Sequence, residues 1–393
     1  MTVKPFPLIE DPETRQREFP ITINRIFLAH AGVAPLCGAA RRAMQGYIDR
    51  GAEETQEDDW VWEHIRATRG QAAGLLGCAA EEISLLGPTS LGLSLVANGL
   101  DWEAGDEIVC YADDYPANVY PWLNLRNQGV RVTLLTPERA GHINWDLVEA
   151  ALTSRTRLVA LASCHFLSGY RIDVPNIGKQ LHARGILFCL DGIQTLGAFP
   201  TTVENVDFLS ADAHKWLLGP NGSGILYVAR EHHEALKPTL LGAWNVRCTD
   251  FLAHDEIEFV SGGRRYEPGT LNTVGILGMQ GALEMVHGFG LHVIGERVLA
   301  LRARLANSLR ELGFRIFPME DEGDMPEQAW SGILSVYRDG LDLKPLVENL
   351  TSHNVIVSIR KDRSGRELLR FSPHFYNTPD EIDSTVFLIK RGV

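Results

Sequence analysis

Between residues 83 and 230 the chain alternates short, uninterrupted apolar runs with stretches of helical spacing. No other feature restricts the fold as much. The runs are EIVCYA, VTLL, RLVALAS, GILFCLDG, VDFLSADAH and GILYVAR. A strand that is apolar on both faces must be covered on both faces, so these runs predict a mostly parallel sheet between two layers of helices. Residues 144–152 and 174–184 supply helical spacing between the runs, the second stretch stopped by Gly185. Sheets of this α/β kind bind their ligands at the carboxyl ends of the strands.

At 393 residues the chain is too long for one core. A Gly-rich stretch around Ser261-Gly262-Gly263 precedes a long helical pattern from about Ile276 to Leu312, with a break expected at residues 288–290. Beyond it come a strand (SGILSVY), a helix (LKPLVENLTSHN) and two strands (VIVSIR, ELLRFSP). A capping box at Thr378-Pro379-Asp380-Glu381 then opens a last helix. We expect an N-terminal arm over residues 1–25, a large domain over 26–272 and a small α+β domain over 273–393.

Thirty-seven basic against fifty acidic residues leave a net charge of −13, with no basic footprint for nucleic acid or a membrane surface. No run approaches the ~18 apolar residues of a membrane span, and the polar first twenty residues do not read as a signal peptide. Six scattered cysteines without metal-finger spacing read as reduced thiols in a cytoplasmic protein. The expected partner is therefore a small molecule.

The chemistry concentrates in VDFLSADAHKWLLGPNGSG, where a strand ends and His-Lys-Trp follows. Lys215, just past the strand and partly desolvated, can serve as a nucleophilic amine toward an aldehyde. Upstream, Asp191 closes the apolar run of LFCLDGIQTLG. A carboxylate there can pair with a protonated pyridine nitrogen, and Gln194 can bond a ring hydroxyl. In LLGPTSLGLSL, Thr89 and Ser90 open a helix after a strand, which forms a phosphate cradle. A phosphate cradle, a strand-end carboxylate and a strand-end lysine, in this order, suggest pyridoxal 5′-phosphate.

At these residues the sequence resembles the class V aminotransferase superfamily of fold-type I pyridoxal-phosphate enzymes. The nearest group contains cysteine desulfurases, selenocysteine lyases and isopenicillin-N epimerase-like proteins. The resemblance runs from NRIFLAHAGVAPL to FYNTPDEID. It implies that Lys215 holds the cofactor's aldehyde carbon, that Asp191 pairs with the ring nitrogen and that Gln194 meets the ring oxygen. Thr89, Ser90 and His214 would hold the phosphate. Tyr115, in YADDYPANVYPW, would stack on the ring where desulfurases carry His, and His165 would lie near it. Thr270, in EPGTLNT, would reach the phosphate of a partner subunit, which implies a homodimer with shared active sites. Arg370, in ELLRFSP, would grip the α-carboxylate of an amino-acid substrate.

Two departures matter. The desulfurase loop before the substrate arginine carries a cysteine, and here NVIVSIRKDRSGR has none, so a persulfide on the enzyme is not expected. Asp212 also stands where relatives bind phosphate with Ser or Thr. A carboxylate facing phosphate would repel it, so Asp212 is expected to orient His214 or another neighbour at the cofactor site. The basic loop Arg360, Lys361, Arg363 and Arg366 is either solvated or suited to a substrate with a second acidic group. We place an aminotransferase ahead of a lyase or epimerase. A metal-dependent hydrolase built on Asp212, His214 and Glu231-His232-His233 is the alternative from another class. A catalytically silent binding protein would be expected to have lost Lys215 or Asp191.

Overall fold

The computed structural model describes residues 7–318 and 329–392. Among the described residues, seven strands form the main sheet: β1 (Ile83–Leu86), β2 (Glu107–Tyr111), β3 (Arg131–Leu135), β4 (Thr156–Ala162), β5 (Leu187–Asp191), β6 (Phe208–Asp212) and β7 (Gly224–Val228). Their order is β1-β7-β6-β5-β4-β2-β3. Only β7 runs against its neighbours β1 and β6, and every other pairing is parallel. The α/β sheet read from the apolar runs is present. Strands β2, β6 and β7 are buried along their whole length, as two covered faces require.

The helices follow local signals. Asn144 caps Trp145–Ala151 by accepting the Leu147 N–H, and Gly185 ends the chain segment after Val174–His182 at a positive φ of 66°. The long helical pattern is two helices, Thr273–Phe289 and Leu291–Glu311, parted at Gly290 with φ 82°. The helices Gly38–Glu53 and Asp59–Leu76, to which the sequence reading gave no assignment, pack against Thr273–Phe289 to cover the sheet. Among the described residues no helix is long and apolar enough to cross a membrane.

A second, antiparallel sheet has the order β10-β11-β9-β8, built from β8 (Arg315–Ile316), β9 (Leu334–Tyr337), β10 (Ser358–Lys361) and β11 (Glu367–Phe371). Leu305, Phe314, Leu346 and Ile382 join its inner face in a separate apolar core. The capping box forms, with Glu381 N–H donating to Thr378 Oγ1 and Thr378 N–H to Glu381 Oε2. Ile26–Phe27 pairs in parallel with Val355–Ile356 as a separate two-stranded sheet, so the start of the expected large domain is stitched to the segment just before β10.

The helix Thr89–Gly99 lies directly on β6. A Cβ at Gly92 would stand 2.3 Å from Ser210 Oγ and 2.8 Å from its Cβ. Gly92→Ala is therefore expected to cost about 1–3 kcal/mol through overpacking, less what alanine returns in helix propensity. Urea unfolding checks this, and an unchanged midpoint would show that the helix can slide on the sheet.

Candidate active site

Strands β1, β2, β4, β5 and β6 deliver their carboxyl ends to one place, where a cavity of about 300 Å³ opens beside β11. At the β1 end, the helix Thr89–Gly99 starts on Pro88, which offers no side-chain cap. Its first N–H groups have no carbonyl within the helix and can meet an anion. Thr89 Oγ1 accepts the Asp212 N–H at 2.9 Å, which locks that helix start to the end of β6. Ser90 is exposed at the cavity.

Past β6, Asp212 Oδ1 accepts the His214 N–H at 3.2 Å and lies 2.8 Å from His214 Nδ1. Its carboxylate is thus occupied with His214 and is not among the cavity-lining groups, whereas His214 lines the cavity. Lys215 is almost fully buried, with Nζ 5.2 Å from the Tyr115 ring centroid. Burial pushes its ammonium down to about 8, against the pull of Asp191. An amine with that value is part neutral near physiological pH, as a nucleophile or base requires.

Asp191 ends β5, where Oδ1 accepts the Ile193 N–H at 3.0 Å. Burial raises its carboxyl, while the Ile193 N–H and Lys215 hold it down. It is the one carboxylate in the described cavity lining. Gln194 also lines the cavity, its Nε2 donating to Ala31 O at 3.2 Å and its Oε1 accepting from the Trp216 indole at 2.8 Å. Tyr115 stands half exposed at the rim, edge-on to Phe166 at 5.6 Å.

His165 stands behind this wall. Its Nε2 donates to Asp113 O at 2.9 Å, and its Nδ1 accepts the Ser168 N–H at 3.2 Å, so both ring nitrogens are occupied by the chain itself. The next residue, Phe166, faces the cavity. Thr270 is not in the lining either. It borders a separate cleft with Trp62 and Trp244.

Arg370 enters from β11 and is 2% exposed. Nη1 donates to Phe166 O at 2.7 Å, and Nε has no partner. Burial, reinforced by Arg360, pushes its guanidinium down to about 9. Arg360 is the second guanidinium of the lining. A Cβ placed on Gly32 would lie 3.6 Å from Arg360 Nη2 and 3.7 Å from Arg370 Nη2, so the two guanidiniums converge. The rest of that basic loop turns elsewhere: Lys361 pairs with Glu367, Arg363 with Asp113, and Arg366 covers the Tyr337 ring.

Sequence reasoning passed over Asp114, although it directly precedes Tyr115 in YADDYPANVYPW. It is buried, and it accepts N–H groups from Tyr115 (2.8 Å), Asn118 (3.0 Å) and Ala162 (3.2 Å), holding the Tyr115 loop. Burial and the nearby Asp191 raise it to about 7. Phe166 and Ile193 were also unmarked, since apolar lining residues look like core.

The hydrolase alternative does not assemble. His232 bonds Asp207 and His233 bonds Val228 O, at the far, amino-terminal edge of β6 from Asp212 and His214. Among the described residues no group of three or more potential metal ligands comes together. Cys37, Cys110, Cys164 and Cys189 are buried, and none of the six cysteines lines the cavity.

A probable cysteine desulfurase of Methanothermobacter thermautotrophicus is 26% identical over 389 residues, covering 94% of this chain and 95% of its own. The apo structure of a cysteine desulfurase from Thermococcus onnurineus superposes with a TM-score of 0.87 at 22% identity, covering 100% of this chain and 99% of the other. The cystine C-S lyase C-DES, solved with its reaction product cysteine persulfide, gives 0.84 at 20% identity, covering 95% and 99%. The family model for aminotransferase class-V matches residues 26–385, and the chain accordingly belongs to that family of pyridoxal 5′-phosphate enzymes.

Proposed function

We propose that this chain is a pyridoxal-phosphate lyase that eliminates a sulfur substituent from the β-carbon of an amino acid carrying a second carboxylate. The carrying observation is the convergence of Arg360 and Arg370 on a cavity that contains Lys215 and no thiol. One guanidinium serves the α-carboxylate, and the other has no acidic partner in the lining to neutralise it. The sequence reading put transamination first. A desulfurase relative and a C–S lyase neighbour, joined to the paired arginines, favour elimination instead.

The donor set fits the cofactor. The uncapped helix start with Thr89, Ser90 and His214 suits the phosphate, and Asp191 suits a protonated ring nitrogen. Gln194 suits the ring oxygen, and Tyr115 suits the ring face. Once bound, the cofactor supplies an electron sink for the pair released at Cα. Arg370 holds the α-carboxylate, and Lys215 Nζ takes the proton from Cα. As the C–S bond breaks a Cα=Cβ bond forms, and the sulfur leaves with the C–S electron pair on the rest of the substrate (from cystine, as cysteine persulfide). Water then hydrolyses the released enamine to pyruvate and ammonia. With no thiol in the lining to receive it, the sulfur departs on its own carrier. Thr270, away from its own chain's cavity, suits a homodimer in which it reaches the partner's phosphate site.

The test is to give the yellow holoprotein cystine. Pyruvate should accumulate while the visible band persists. Persistent bleaching to the pyridoxamine form with a keto acid of unchanged carbon skeleton would establish transamination and overturn the reading. Arg360→Gln should lower kcat/KM for cystine by about 10–100-fold, the worth of a charge-assisted contact, and change a monocarboxylic substrate less than about threefold. Equal losses on both substrates would remove Arg360 from side-chain recognition.

A further inference from the structure

Next to Lys215 lies a buried hydrogen-bond chain that the reading above does not use. Trp216 is fully buried, and its indole N–H donates to Gln194 Oε1 at 2.8 Å. Its carbonyl accepts from His374 Nε2 at 2.8 Å, while His374 Nδ1 accepts the Phe375 N–H at 2.8 Å. One edge of the indole packs tightly against the chain at Gly332, where a Cβ would meet Trp216 Cη2 at 2.5 Å.

A primary amide is nearly symmetric in shape, and its two ends exchange by a half-turn. Gln194 is denied that freedom by two one-way partners. The indole can only donate, so it faces Oε1. The Ala31 carbonyl can only accept, so it faces Nε2. Nε2 keeps one unspent N–H, beside Ala31 in the cavity wall.

We propose that Trp216 is a positioning residue: held by His374, it locks the Gln194 amide so that an N–H and not a carbonyl faces the ring oxygen of the cofactor. The inference rests on the cofactor reading above. An N–H on that oxygen stabilises its negative charge, so the oxygen competes less well for a proton. Releasing the amide removes this effect. The charged groups around the cavity (Asp191, Asp212, His214, Lys215, Arg360 and Arg370) stay in place, so a change in proton affinity reports the amide.

The experiment titrates the visible band of the holoprotein against pH. Trp216→Phe should raise the midpoint by about one unit, a tenfold gain in proton affinity. Gln194→Ala should raise it similarly. Adding Trp216→Phe to Gln194→Ala should add nothing, since the first residue acts through the second. An unshifted midpoint in either single variant, or equal Trp216→Phe shifts in both backgrounds, overturns the proposal. Should Trp216→Phe not fold, deuterium exchange at the Trp216 indole decides. It should be at least about tenfold faster in Gln194→Ala than in the unaltered protein, and equal rates overturn the proposal. A chain that shows no visible band with pyridoxal phosphate fails earlier, at the cofactor reading.

Discussion

Lys215→Ala should lose at least about 10³-fold in turnover and should no longer hold pyridoxal phosphate against dialysis. Lys215 is the only amine in the described cavity lining, so no neighbour can replace it as base or as the covalent anchor. The lowered value of about 8 adds a signature in pH. Below that value the amine is protonated and has no lone pair for an aldehyde; above it the amine is neutral. Capture of pyridoxal phosphate by the cofactor-free protein should therefore rise about tenfold per pH unit up to near 8 and then level off. A rate still climbing at pH 10 would mean an ordinary, solvated lysine. Residual turnover in Lys215→Ala near that of the unaltered protein would remove Lys215 from the mechanism altogether.

Arg370→Met should produce opposite changes in activity and stability. If Arg370 anchors the α-carboxylate as proposed, kcat/KM should fall by about 10²–10³-fold. The folded protein, however, should gain stability. Arg370 is a buried cation whose Nε is unpartnered and whose charge burial and Arg360 both oppose. Because its proton is held less tightly in the fold than in the unfolded chain, the charged group costs stability, and that cost is present in full at every pH below about 9 and fades above it. A methionine of similar length removes that cost at neutral pH. The melting temperature should rise by a few degrees in the absence of ligand, and a fall would show that the bond to Phe166 O outweighs the buried charge.

Much of this was legible from residues alone, for identifiable reasons. The sheet was readable because strands covered on both faces leave continuous apolar runs, and the helix ends because Asn144, Gly185 and Thr378 are local signals. Asp191, Gln194 and Lys215 stand within 25 residues just after strands, so strand ends alone bring them together. The reversal of β7 left no mark, since GILYVAR is apolar whichever way it runs. Nor could spacing show that Arg360 faces the cavity while Lys361, Arg363 and Arg366 turn away. That division depends on tertiary partners such as Glu367 and Asp113. His165 and Phe166 show the same limit: which of two adjacent residues meets the cavity depends on a loop held by Ser168 and Asp113.

The pairing of Ile26–Phe27 with Val355–Ile356, and the bridge from Ala29 to Ser372, join segments more than three hundred residues apart. Ala31, Gly32 and Arg370, which wall the cavity, hang on those joints. Contacts this distant in sequence carry the largest loop-closure cost and form slowly. The cavity therefore closes only after the early and late parts of the chain have met. Turnover of an amino-acid substrate, which needs Arg370, should accordingly serve as a clock for the last step of folding, lagging behind the gain of helix and sheet.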